Sequence, residues 1–134
     1  MPKLKTSQIP QAKIVWPTFS DLELQAVQAR FDSYWQDVLQ GKILVNKWVY
    51  AACKRHERDL RRGDIFMDWA EVARFLWHCD RLKLIDEWQG MPLTLPPWQV
   101  FFFGSLVGWR WTEGRHRRFK LAILQVGRGA GKTT

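Results

Sequence analysis

A chain of 134 residues, 46% hydrophobic and with nine tryptophans, has enough apolar material for one packed domain and excludes general disorder. The formal net charge of +8 favours polyanionic partners without fixing a fold. The start, MPKLKTSQIPQAK, has no apolar stretch of a signal peptide, and the longest apolar run, 100–109, is interrupted by Gly104, Ser105 and Gly108. It falls far short of the ~20 residues of a membrane span, so neither secretion nor membrane insertion is expected, and Cys53 and Cys79 read as reduced intracellular thiols.

Residues 1–17 carry three prolines and no sustained period, and read as an extended arm. A helix is predicted from Ser20, where Ser20 and Glu23 fit a capping box, with Leu24, Val27, Phe31, Tyr34 and Val38 as its apolar stripe and Gly41 as its stop. A second is predicted over 45–62. Val49, Ala52, Cys53, His56 and Leu60 share one side; Lys54, Arg55, Arg58, Arg61 and Arg62 largely occupy the others; Gly63 ends it. A third runs over 68–82, opened by Asp68 with Glu71 and striped by Trp69, Val72, Leu76 and Cys79. Three successive amphipathic helices bury their stripes against one another. The stretch 83–95 loses the period and gains Gly90 and Pro92, as a linker does. A fourth helix opens at LPPWQ, where Pro96 and Pro97 suit a helix entrance, and runs to Gly108. Residues 110–118 form a polar, basic turn, and FKLAILQV, 119–126, reads as a short buried parallel strand.

The chain closes on GRGAGKTT, residues 127–134. A strand entering a glycine-rich turn that ends Gly-Lys-Thr is the context of a phosphate loop: backbone N–H groups make an anion nest, glycines admit the phosphates, Lys132 faces the outer phosphates and the Thr133 hydroxyl ligates Mg²⁺. The usual first glycine of the pattern falls on Val126, so the loop is a variant, and Arg128 within it is unusual.

With those residues in view, the sequence resembles the large subunit of the terminase that packages DNA into tailed-phage heads. NKWVYAACKRHERDLRRGD, 46–64, is similar to the family's N-terminal helix; EWQGMPLTLPPWQVFFFGSLVGW, 87–109, to its Trp-Gln block and the helix ending in Gly-Trp; VGRGAGKTT, 126–134, to its deviant loop with an internal arginine. The resemblance covers roughly residues 40–134 in unbroken order. It implies that Gln99, with Trp98 beside it, reads the adenine edge, for which a side-chain amide offers both a donor and an acceptor. It implies that Gly127, Arg128, Gly129, Ala130, Gly131, Lys132, Thr133 and Thr134 hold the nucleotide, with Thr133 on Mg²⁺ and Arg128 acting in cis on the γ-phosphate as an arginine finger.

The fold class expected is mainly α, a helical N-terminal region at 18–90 after the arm at 1–17, leading into the first strand and P-loop of a truncated α/β ATPase domain at 91–134. The cofactors implied for the intact protein are ATP and Mg²⁺. The partners implied are double-stranded DNA, the terminase small subunit, the portal protein and sister subunits of a motor ring, in the cytoplasm of the infected or lysogenic bacterial host. The acidic pair after the next strand, the coupling motif and the nuclease domain of the family have no counterpart in these residues. The chain is therefore read as an N-terminal fragment that binds ATP poorly and does not hydrolyse it, with a strand 119–126 that has lost its sheet neighbours. Two other readings stand beside this one: a piece of another P-loop motor such as a helicase, and a small basic helical protein that binds DNA or a partner and keeps the loop as a relic.

The cations of the basic turn, Arg110, Arg115, Arg117, Arg118 and Lys120, and those of the second helix are read as solvated faces with phosphate contact as the alternative. Cys53 with His56, and His78 with Cys79, match no zinc-site spacing and are read as ordinary buried side chains. The tryptophans mostly sit at core-facing spacings rather than as base-stacking platforms.

Overall fold

The computed structural model describes residues 16–83, 91 and 93–127. In chain order these form α1 (Asp21–Leu39), α2 (Lys47–Asp59), β1 (Ile65–Met67), α3 (Trp69–Arg81), α4 (Pro97–Gly108) and β2 (Trp109–Trp111). Most of the expected arm (1–15), most of the expected linker (84–90 and 92) and the loop residues 128–134 lie outside the described residues.

The capping box of α1 is formed: the Ser20 N–H donates to the Glu23 carboxylate at 2.8 Å, and the Glu23 N–H donates to the Ser20 hydroxyl at 3.2 Å. Phe31, Tyr34 and Val38 of the expected stripe are buried, while Leu24 and Val27 are half-buried nearer the helix start. Trp35 joins them, because its indole N–H reaches Asp32 at 2.9 Å and so can leave water without losing its hydrogen bond. Gly41 takes φ +76°, the left-handed geometry that ends the helix.

α2 is shorter than its pattern. Asn46 caps it, its side chain accepting from the N–H groups of Trp48 and Val49, and it closes at Asp59. Asp59 takes the buried place expected for Leu60, which is turned to solvent. α3 opens as expected, with the Asp68 side chain accepting from the Glu71 N–H, and buries Val72, Ala73, Leu76 and Cys79. The end of the arm lies against it, where Trp16 stands edge-on to His78 at 6.2 Å and the Arg74 guanidinium lies 5.1 Å from the Trp16 ring. On the far side of the linker, the Leu93 N–H donates to the Leu82 carbonyl at 2.8 Å, and Leu95 joins the core.

α4 begins at Pro97 and packs on α1 and α3, so the core draws on residues from both ends of the described chain. Two glycines set how closely it lies. A Cβ on Gly104 would stand 2.7 Å from the Phe31 ring, and one on Gly108 would stand 2.7 Å from Val72 and 2.8 Å from Met67. Glycine in this helix is thus a matter of contact distance, and its entropic cost is offset by the packing it permits.

Two features depart from the sequence reading. Residues 109–111, expected in or beside a turn, form β2, which pairs antiparallel with β1 in the register Ile65↔Trp111, Phe66↔Arg110 and Met67↔Trp109. Strands of three residues give too few alternations to register as a period. The far edge of β2 takes the returning chain: the Trp111 N–H donates to the His116 carbonyl and the Arg118 N–H to the Trp109 carbonyl, both at 2.9 Å. The second departure is the apolar run 119–126, which carries no strand geometry. β1 and β2 are committed to each other and to 116–118, and among the described residues no further strand stands beside the run. Leu121 and Ile123 are consequently 81% and 84% exposed.

Gly104→Ala tests the packing by sign. In an exposed helix this change stabilises by about 1 kcal/mol. Here it is expected to destabilise by about 1–3 kcal/mol, because the new methyl meets a fully buried ring. Urea unfolding of the two proteins measures the difference; a gain in stability would show that α4 does not approach α1 this closely.

Candidate functional site

The residues singled out from sequence fall at the two ends of one path. Trp98 and Gln99 lie in the first turn of α4, and the chain then runs through β2 and the basic turn to Gly127, the first loop residue and the only one described. Arg128, Gly129, Ala130, Gly131, Lys132, Thr133 and Thr134 lie outside the described residues.

At the near end, the helix start is made by Pro96 and Pro97, whose missing N–H groups would have had no partner there. The Gln99 N–H donates to the Pro96 carbonyl at 3.0 Å. Its side chain is 7% exposed, and Trp98 packs half-buried against the core. Gln99 is therefore not a loose surface amide; the turn holds it in place with a small part at the surface. At the far end, among the described residues nothing stands within 4 Å of where a Cβ on Gly127 would project.

Between these ends, the basic turn is held by acids. Arg118 is the chief anchor, donating to the Asp59 carboxylate at 2.6 Å, with Asp59 1% and Arg118 side chain 13% exposed. Arg58 and Arg62 lie near the other Asp59 oxygen, at 3.9 Å and 3.8 Å. Arg110 lies 4.0 Å from Asp68 and 3.7 Å from Glu71, and Arg115 lies 3.5 Å from Asp68. Those two acids sit at the start of α3, where negative charge also suits the helix dipole. Three of the five turn cations thus serve structure, while Arg117 and Lys120 are exposed. Arg118 also faces the rings of Trp109 at 5.7 Å and Phe119 at 4.9 Å, so one side chain fixes where the apolar run leaves the turn. Beyond it, an open groove of about 280 Å³ lies between α2, α4 and the run, floored by Ala52, Phe101 and Leu106 and edged by Arg55, Leu121 and Ile123.

Asp59 was missed from sequence because its neighbour Leu60 matched the apolar stripe better. The signal was there: Asp59 is three residues after His56, on the buried side of the helix. His56 itself is 3% exposed and ringed by Phe31, Trp35, Phe101 and Trp109 at 5.2–5.5 Å. Neither ring nitrogen has a hydrogen-bond partner among the described residues. Burial lowers its pKa to about 4, against the opposing pull of Asp59. Burial likewise pushes the Cys53 thiol up to about 11, away from the thiolate that metals bind. Among the described residues no group of three or more His, Cys, Asp or Glu side chains is placed to hold a metal ion.

In comparisons with known proteins, residues 97–134 match the family model described as terminase large subunit, ATPase domain; the match is partial and lies at the C-terminal end of this sequence. It begins at the first residue of α4, so the last part of the mostly helical chain is similar to a portion of that ATPase domain. No curated protein and no solved structure matches. Among the described residues no helix is long and apolar enough to cross a membrane.

Removing the anchor has a calculable direction. Arg118→Gln leaves the buried Asp59 carboxylate without its short partner and is expected to cost about 3 kcal/mol in urea unfolding. Adding Asp59→Asn, which removes the stranded charge, is expected to restore part of that loss; equal stability of Arg118→Gln and the parent would mean the pair carries no net weight.

His56 gives a pH dependence of defined sign. An unfolded chain takes up this proton near pH 6.5 and the folded chain only near 4. Within that window the unfolded state binds more protons, so stability is complete above it and falls as the pH drops through it. The parent is expected to lose about 2 kcal/mol between about pH 7.5 and 5, and His56→Leu to lose much less. An unchanged pH profile in His56→Leu would assign the loss to other groups.

Proposed function

We propose that the chain is the N-terminal part of a terminase large subunit, the motor that drives DNA into tailed-phage heads, and that residues 127–134 form its phosphate loop. The observation that carries this reading is the family match over 97–134, which runs from the start of α4 into the loop sequence. Its support from the fold is the placement of Trp98 and Gln99 in the first turn of that helix.

In this reading, residues 1–17 are an arm, 18–90 a helical region and 91–134 the start of the ATPase domain, whose first helix shares the core of the helical region. Bound ATP supplies a hydrolysable phosphoanhydride, with Mg²⁺ shielding its phosphates. The chain's own residues bind and orient it: Gln99 presents its amide to the adenine edge, Trp98 flanks it, Lys132 neutralises the outer phosphates, Thr133 offers its hydroxyl to the metal, and Arg128 meets the terminal phosphate. The Arg118–Asp59 pair positions the run that leads to the loop. Partners are duplex DNA, the small subunit, the portal and sister subunits in a ring, in the host cytoplasm. Residues 1–134 alone bind ATP weakly and do not turn it over, since the acidic pair that positions Mg²⁺ and water in the family is not among them.

The reading frame tests the motor directly. Read past codon 134, it is expected to encode an apolar strand ending in an acidic pair, and later a carboxylate-rich nuclease domain; a frame encoding neither overturns the motor reading. For the 134-residue polypeptide, a contamination-controlled assay is expected to give no ATP turnover, and turnover abolished by Lys132→Ala would overturn the expectation of incompetence.

A further inference from the structure

α2 buries Cys53, His56 and Asp59 on one side, which leaves the opposite side to solvent. Along that outer side Lys47, Ala51, Lys54, Arg58 and Arg61 recur at steps of three or four, and all are exposed. The side chains of Lys54 and Arg58 are 54% and 75% exposed. Arg55 lies on the flank, facing Phe119 at 5.4 Å. One acid breaks the row, Glu57, held by Lys54 at 3.3 Å. The row is about 21 Å long, from 1.5 Å of rise per residue over 14 steps, and its neighbours stand about 5–6 Å apart.

The turn cations Arg110 and Arg118 differ in kind, since their side chains are largely buried and spend their charge on Asp68, Glu71 and Asp59. In the α2 row Lys54 lies 3.3 Å from Glu57 and Arg58 lies 3.9 Å from Asp59, but both side chains are more than half exposed, so water screens those pairs and leaves their charge felt outside. We infer that the outer face of α2 is a docking surface for the phosphate backbone of duplex DNA. Charge complementarity selects this occupant. Along the same ~21 Å a duplex presents about six phosphates per strand, a regular anionic row to set against a regular cationic one. The face is hollowed, about 560 Å³, and four of the seven residues lining the hollow, Lys54, Arg55, Arg58 and Arg61, are cations, which favours a polyanion over the apolar anchor a protein partner would insert. The net charge of +8 brings the chain to such a polyanion by long-range attraction. The contact is electrostatic and reads no bases, so it steers and holds DNA without selecting sequence.

The inference rests on the packaging reading for the relevance of duplex DNA and on the α2 charges for the surface, and the two fail separately, because the test contains no nucleotide. A labelled random-sequence duplex is titrated with the full 134-residue chain, followed by anisotropy across a series of salt concentrations. Lys47→Gln/Arg61→Gln is compared with Lys42→Gln/Lys83→Gln, which removes equal charge from exposed positions outside the row. The parent is expected to bind with an affinity that falls steeply with salt. The α2 double variant is expected to bind about tenfold more weakly at low salt, with a log–log salt slope shallower by about two. The control pair is expected to stay close to the parent. Absence of duplex binding by the parent, or equal losses in the two double variants, overturns the assignment. Far-ultraviolet circular dichroism of each variant, expected to superimpose on the parent since all four side chains are exposed, keeps the comparison one of binding.

Discussion

The buried carboxylate of Asp59 constrains more of this molecule than any other single group. A charge with 1% exposure is tolerated only beside a counter-charge, and the short contact is with Arg118, 59 residues further along the chain. That contact closes the returning chain onto β2, places Trp109 against His56, and sets the direction in which 119–127 leaves the turn. Without it the hairpin would be held mainly by short strand pairings, which are marginal by themselves. The pair links the α2 core to the turn from which residues 119–127 depart.

α4 is the second constraint. It is apolar all round rather than amphipathic, which is what a helix packed on two sides requires, and Gly104 and Gly108 let it settle against Phe31 on α1 and Val72 on α3. The same packing fixes its first turn, where Trp98 and Gln99 stand.

The sequence exposed the helices well because each carries its own signals. Ser20 with Glu23, Asp68 with Glu71 and Pro97 are local chemistry, and stripes such as Phe31–Tyr34–Val38 are local periodicity. What it did not expose depends on distant partners. Ile65–Met67 and Trp109–Trp111 become strands because they meet, and Asp59 becomes a core residue because Arg118 reaches it. The run 119–126 shows the same dependence in reverse: an apolar, strand-like composition gives no strand where, among the described residues, no strand stands beside it. Of the candidate site, Trp98 and Gln99 were singled out by the resemblance rather than by spacing, and the burial of Gln99 was not legible, because a polar residue in the first turn of a helix is ordinarily solvated.

The basic balance of the chain resolves into two populations with different physics. Arg118, and to a lesser degree Arg110, sit where water is partly excluded and an acid is near, so salt weakens them little and their loss is felt in stability. Lys54, Arg58 and Arg61 stand in water, where intramolecular pairs are worth little and charge acts at a distance. Conserving fold energy cannot explain a regular row of such cations on the outside of a helix, because mutual repulsion between like charges at helical spacing is mildly destabilising. A polyanion laid along the row would turn that repulsion into attraction, and the energy released would appear as counterion-dependent binding rather than as stability.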